Sequence, residues 1–257
     1  MALIAAFPMY DRPELRGASA RLWSEIRARL HNAPDALSYP ESLWDLWQSP
    51  DLYLSQTCAL PFRAQLHERV TLVGTPDYGL EGCQPGYYNS VIVVRRDDPR
   101  RRFVDYRNAI LAFNEPLSQS GWGALWDHAK AHGFAFTDLL QTGAHVSSAR
   151  AVVAGDADLA ALDAQSWRLM QRYDAWAKGL RVIEWTKPTP GLPLITARAN
   201  EAPRIADAVN EAILALATGD RDTLGVKALI KIPCDAYMAL PLPDFPDEKP
   251  RKDVSKA

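Results

Sequence analysis

Binding an oxyanion needs hydroxyl or amide donors held close together, and Ser118-Gln119-Ser120-Gly121 supplies them consecutively. Before them, Ile110-Leu111-Ala112-Phe113 reads as a short buried strand; after them, Trp122, Leu125 and Trp126 recur at helical spacing. Ser118 and Ser120 thus fall at the cap and first turn of a helix. Backbone N–H groups there have no partner within the helix, and the helix dipole is positive. Such an end suits an oxyanion, although the same serines also serve as ordinary caps.

Other residues carry chemistry of their own. His145 can donate to an anion or titrate near neutral pH, or simply hold a loop. Asp163, at the end of the apolar run Leu159–Leu162, can accept from a ligand or cap the helix that follows. Tyr10, Tyr87 and Trp122 suit a pocket wall or the core, and Ser55-Gln56-Thr57 is a polar loop after a strand. His128 and His132 sit four apart beside Asp127, but no HExxH pattern and no third ligand accompany them, so no metal is expected. Ser120 is not within G-x-S-x-G, neither Cys58 nor Cys83 has a histidine near it in sequence, and no Walker loop or GxGxxG occurs. The chain is therefore expected to be no enzyme and to need no cofactor.

Composition agrees with a soluble α/β protein. The 257 residues are 47% hydrophobic and 23% charged, enough for one large domain or two small ones. With 29 basic against 31 acidic residues, nucleic acid is not an expected partner, and Arg95–Arg102, broken by Asp97-Asp98-Pro99, reads as a solvated turn. Three cysteines without a CxxC point to reduced thiols. No stretch is apolar enough to span a bilayer, so membrane insertion is not expected. The start of the chain reads as a strand rather than a leader, so the chain as written is expected to be cytoplasmic, and periplasmic where a signal peptide has been removed.

The elements that must position these residues alternate. Strands are expected at Leu3–Phe7, Leu52–Ser55, Val70–Pro76, Tyr87–Val94, Ile110–Phe113, Thr137–Leu140, Leu159–Leu162, Leu180–Trp185 and Leu194–Thr196. Helices are expected at Pro13–Leu30, Asp35–Trp47, Phe62–Arg69, Ser147–Ala154, Ser166–Ala177 and Ala202–Thr218, with a frayed tail over Pro241–Ala257. This alternation predicts α/β lobes with mostly parallel sheets, and extended crossings near Ser90 and Glu184 divide them. Lobe 1 would comprise residues 1–92 and 184–257, and lobe 2 residues 93–183. Ligands in such sheets lie at the carboxyl ends of strands, where Met9-Tyr10, Ser55-Gln56-Thr57, Asn114–Gly121, Gly143–Ser148 and Asp163 would meet.

Several blocks in order resemble the phosphate/phosphite/phosphonate-binding proteins of ABC transporters, of type II periplasmic-binding-protein fold. They are the early strand with Pro-Met-Tyr, PDLYLSQT, GYYNSVIVVRRDD, LAFNEPLSQSGWGAL, TGAHVSSARAVVAGDADLAALD and VIEWTKPTPGLPLIT. The resemblance implies a two-lobed solute-binding protein that closes over a small anionic ligand, works with a membrane permease and acts as a monomer. It implies ligand contacts from Ser118, Gln119, Ser120, Gly121, His145 and Asp163, an aromatic at Tyr87 or Tyr88, and the first-lobe loop at Ser55 and Gln56; the residues themselves add Tyr10. Gln119 replaces a hydroxyl at the centre of the family's motif, which admits a carboxylate or a larger ligand. An enzyme or a ligand sensor on the same scaffold, with His145 and Asp163 moving protons in the former, is the alternative.

Overall fold

The computed structural model describes residues 3–246. The expected tail falls for residues 247–257 outside the described residues. In chain order the strands are β1 (Ile4–Ala6), β2 (Leu52–Gln56), β3 (Thr71–Asp77), β4 (Tyr87–Tyr88), β5 (Ser90–Arg95) and β6 (Ile110–Phe113). They continue as β7 (Asp138–Gln141), β8 (Leu159–Asp163), β9 (Leu180–Trp185), β10 (Thr189–Pro190), β11 (Leu194–Thr196) and β12 (Ala228–Ile230). The α-helices are α1 (Pro13–Arg27), α2 (Leu43–Trp47), α3 (Ala59–Pro61), α4 (Ala124–Ala131) and α5 (His145–Ala154), followed by α6 (Ala164–Tyr173), α7 (Ala202–Ala215), α8 (Thr218–Leu224) and α9 (Cys234–Met238).

Two five-stranded sheets form, in the orders β1-β2-β11-β3-β12 and β7-β6-β8-β5-β9. Both are mixed. In the first, β11 and β12 run against β1, β2 and β3; in the second, β5 alone runs against the rest. β5 is the strand by which the chain enters the second sheet and β11 the one by which it re-enters the first, directions that βαβ steps do not supply; β12 is added antiparallel at the edge of the first sheet. The small pair β4–β10 lies between the sheets.

β5 shows why its sequence is an unbroken apolar run. Val91 and Val93 pack on one face of the second sheet with Ala160 and Leu162, whereas Ile92 and Val94 pack on the other with Leu159 and Ala161. A strand buried on both faces has no polar side to alternate with. In the first lobe, Leu15, Leu22 and Ile26 of α1 meet Ile205, Val209 and Ile213 of α7 over the sheet.

The boundaries expected at 92/93 and 183/184 fall inside β5 and β9, which pair with each other along their length. The chain passes between the sheets at Asn89 and Thr186 instead. There the Ser90 N–H donates to Thr186 Oγ1 at 2.9 Å and the Thr186 N–H donates to the Ser90 carbonyl at 2.9 Å, so the two crossings are bonded to each other.

The helix expected at Asp35–Trp47 shrinks to Leu43–Trp47. Pro40 keeps the residue before it out of the helical region, and Ser42 caps the first turn by accepting from the Asp45 N–H. Phe62–Arg69 is likewise shorter: α3 runs into a π-helical turn at Phe62–Leu66.

Candidate functional site

Between the lobes lies a cleft of about 290 Å³ at the carboxyl ends of β1, β6, β7 and β8. Of the residues singled out from sequence, Tyr10, Ser118, Ser120, His145 and Asp163 line it together. Three helix starts point there, and each is closed differently.

The first is a π-helical turn, Gln119–Gly123, leading into α4. Ser118 caps it: its Oγ accepts from the Gly121 N–H at 3.0 Å, and its carbonyl accepts from both Trp122 and Gly123 at 3.2 and 2.9 Å. The hydroxyl proton of Ser118 stays available as a donor. A Cβ on Gly121 would overlap Asn114 Oδ1, which is why the tight turn takes glycine there.

The second is the start of α5, whose N-cap is Ala144 and therefore has no side-chain acceptor. Gly143, at φ 84°, makes the turn into it. Its first-turn N–H groups are thus left for a partner from the cleft. His145, the first residue of α5, places Nε2 2.8 Å from Ser120 Oγ and so links the two helix starts.

The third start, α6, is closed by Asp163, whose Oδ1 accepts from the Ser166 N–H at 2.8 Å. Its Oδ2 accepts from the Tyr10 hydroxyl at 3.0 Å, a bond that spans the two lobes.

Burial sets the protonation states. It pulls the His145 imidazolium down to about 4, so the ring is neutral at pH 7, and pushes the Asp163 carboxyl up to about 6. Burial, reinforced by the Asp163 charge, holds the Tyr10 phenol well above its usual range. Glu115, also in the cleft, is raised by burial. The guanidinium that borders the cleft, Arg12, is already engaged by Asp174 at 2.8 Å and Glu14 at 3.3 Å. What the cleft offers an anion is therefore neutral donors and helix dipoles.

The other expected site residues go elsewhere. The Gln119 side chain sits on the opposite side of the turn, in a separate small cavity with Arg63 and His128, while its N–H donates across the lobes to Cys58 Sγ at 3.3 Å. Gly121 is enclosed beneath the turn. Ser55 is buried in β2 and donates to the Gln56 carbonyl; Gln56 donates to the Leu192 carbonyl at 3.1 Å and lines a neighbouring apolar cavity. Tyr87 is held in β4 and packs on the first-lobe core. Trp122 is buried and donates to the Asp244 carbonyl. None of these six residues lines the cleft.

Asn114 and Glu115, expected at the site only as part of the loop Asn114–Gly121, line the cleft, as do Cys58 and Ser166, which the sequence does not mark as lining residues. Their signal was position alone, each being just beyond the carboxyl end of a strand. The histidine pair on α4 also gains what the sequence did not show, a third group, because β9 brings Glu184 beside it.

A family model described as the periplasmic substrate-binding protein of phosphonate ABC transporters matches residues 53–232. By sequence, no curated protein matches the chain. Among solved structures, PhnD1 from Prochlorococcus marinus in complex with methylphosphonate is 16% identical, with a TM-score of 0.72 over 92% of this chain and 94% of that one. A binding protein component of an ABC phosphonate transporter from Pseudomonas aeruginosa is 15% identical, with a TM-score of 0.68 over 91% and 83%. The aliphatic sulphonate binding protein SsuA from Escherichia coli is 15% identical, with a TM-score of 0.59 over 91% and 87%. At these identities the structures establish a shared fold, that of type II periplasmic binding proteins.

Proposed function

The chain belongs to the family of periplasmic substrate-binding proteins of phosphonate ABC transporters, and from that premise we propose which residues hold its ligand and how. It is a solute-binding protein for a small anion rather than an enzyme. The ligand is a phosphonate, phosphite or phosphate-like oxyanion, held in the interlobe cleft. Its oxygens accept from the Ser118 and Ser120 hydroxyls on one side and from the first-turn N–H groups of α5 on the other.

The observation that carries this reading is the uncapped start of α5 facing the Ser118 turn, with His145 bonded to Ser120 between them. His145 Nε2, 2.8 Å from Ser120 Oγ, holds that hydroxyl between the two helix starts. Asp163 and Glu115 supply acceptors, which favour an oxyanion that keeps a proton over one fully ionised. Gln119, turned away from the cleft, leaves the choice of ligand unaffected.

Closure is a hinge motion about the bonded crossings at Ser90 and Thr186, with β5 and β9 moving whole as part of the second lobe. Tyr10–Asp163, Arg12–Asp174 and Cys58–Gln119 latch the lobes together. The partner is a membrane permease and the working compartment the periplasm, as the family description implies. Among the described residues no helix is long and apolar enough to cross a membrane.

Isothermal titration with methylphosphonate, phosphite, phosphate, acetate and sulfate tests the ligand class. The reading expects saturable heat with at least one of the phosphorus oxyanions and a weaker response to acetate. Absence of heat with all three phosphorus oxyanions at high protein concentration would overturn it.

A further inference from the structure

On the second lobe, away from the cleft, α4 presents His128 and, as its C-cap, His132 one turn later. Glu184 of β9 faces them, and one ligand atom from each of the three lies within 4.8 Å of the others. We propose that His128, His132 and Glu184 form a zinc site that ties α4 to β9.

Two of the groups are already held in the manner of metal ligands. The His132 Nδ1–H donates to the His128 carbonyl at 2.9 Å, which fixes the tautomer and leaves the Nε2 lone pair outward. Glu184 Oε1 accepts from the Phe103 N–H at 3.3 Å, which sets the carboxylate and turns Oε2 toward His128 Nε2, 2.8 Å away. The buried ring of Phe103 lies edge-on to both imidazoles, with centroids 4.7 and 5.3 Å apart, and forms an apolar floor. His132 is exposed, so the fourth position opens to water.

Two histidines and one carboxylate with an open fourth position form a donor set suited to zinc, a borderline-soft ion. Zinc–ligand bonds of about 2.0–2.2 Å place tetrahedral neighbours roughly 3.3–3.5 Å apart. The His128 Nε2–Glu184 Oε2 pair, 2.8 Å apart without an ion, would open to that spacing around one. A His128–Glu184 hydrogen bond joins two of the groups, and the second imidazole, His132, brings a third ligand atom within 4.8 Å of both.

The position has a structural meaning. α4 continues directly from the Ser118 turn, and β9 ends at the crossing back to the first lobe. Zinc would pin these two elements without touching the cleft, so the proposal stands whatever ligand the cleft holds.

The test uses the intact chain, freed of metal with EDTA and titrated with zinc chloride by calorimetry. A parallel titration with cobalt(II) reads visible d–d absorption, which intensifies in four-coordinate geometry. The expected result is one zinc per chain, with affinity reduced at least about tenfold in His132→Ala and in Glu184→Gln. Glu184→Gln keeps the acceptor for Phe103, and His132 is exposed, so both variants should fold. His31→Ala and His67→Ala should leave binding unchanged. No zinc heat and no cobalt band in the unmodified chain would overturn the site, as would binding undiminished in both variants.

Discussion

Ser120 carries more of the account than Ser118, because its hydroxyl is oriented by His145 whereas that of Ser118 also caps the turn. Removing one hydrogen bond to a charged ligand costs about 1.5–3 kcal/mol, so Ser120→Ala should weaken anion affinity roughly 10- to 150-fold with little change in Tm. Titration calorimetry beside a thermal melt separates the two effects. An unaltered Kd would remove Ser120 from the site.

Asp163 and His145 make opposite predictions for acid stability. The folded state holds the Asp163 proton more tightly than the unfolded chain does, so this group adds stability as pH falls from about 6 to about 4. His145 is the reverse: the unfolded chain takes up the proton first, and stability is lost as pH falls from about 6.5 to about 4. Each contributes up to about 3 kcal/mol, and in the unmodified chain they largely offset. Asp163→Asn should therefore lose stability on acidification from pH 7 to 4.5, while His145→Gln should gain it. Urea unfolding at both pH values reads the slopes, and slopes of one sign in both variants would contradict the burial argument.

Ser118, Ser120, His145 and Asp163, which line the cleft, were legible because each lies at or beyond the carboxyl end of a strand, where the fold class puts ligands. Gln119, Gly121, Ser55, Gln56 and Tyr87 were included by adjacency or by family pattern. Which side chains of a strand or tight turn face the cleft depends on how the lobes pack, which local sequence does not state.

Among the elements, α5 presents the clearest conflict between stability and function. Ala144 has the extended backbone of an N-cap, φ −152° and ψ 151°, yet lacks a cap side chain. Ala144→Asp should satisfy the first-turn amides and raise stability by about 0.5–2 kcal/mol. The same carboxylate would occupy the donors meant for the ligand and repel it, so oxyanion binding should be lost. A higher Tm with intact binding would show that α5 does not hold the anion.

Long elements were readable from sequence, α1 and α7 by one clear helical period and β5 as an unbroken β-branched run. Short ones were not. β12, with three residues, joins the first sheet through long-range pairing to β3, and α2 is limited by a proline and a serine cap. In both, tertiary context outweighs local propensity. The third group at the histidine pair was hidden for the same reason, since Glu184 is 52 residues beyond His132 and only the β9 position joins them.

For the whole molecule, contacts between lobes set the balance between open and closed forms. Arg12 and Asp174 pair at 2.8 Å, with both side chains largely buried. Arg12→Ala removes one latch while leaving the Ser118 turn and α5 untouched. The ligand-free protein should become more open, with a larger radius of gyration in solution X-ray scattering. Saturating ligand should restore the compact form at a several-fold higher ligand concentration. Identical scattering from the variant and the unmodified chain would mean that this pair does not govern closure.

The central claim is that one oxyanion lies between the Ser118 turn and the start of α5. A crystal structure of the chain grown with methylphosphonate tests it most directly. The account predicts phosphonate oxygens about 2.7–3.2 Å from the Ser118 and Ser120 hydroxyls and from the first-turn amides of α5, with the lobes closed. Methylphosphonate bound away from both helix starts, or crystals in which the cleft takes up none at saturating concentration, would contradict it.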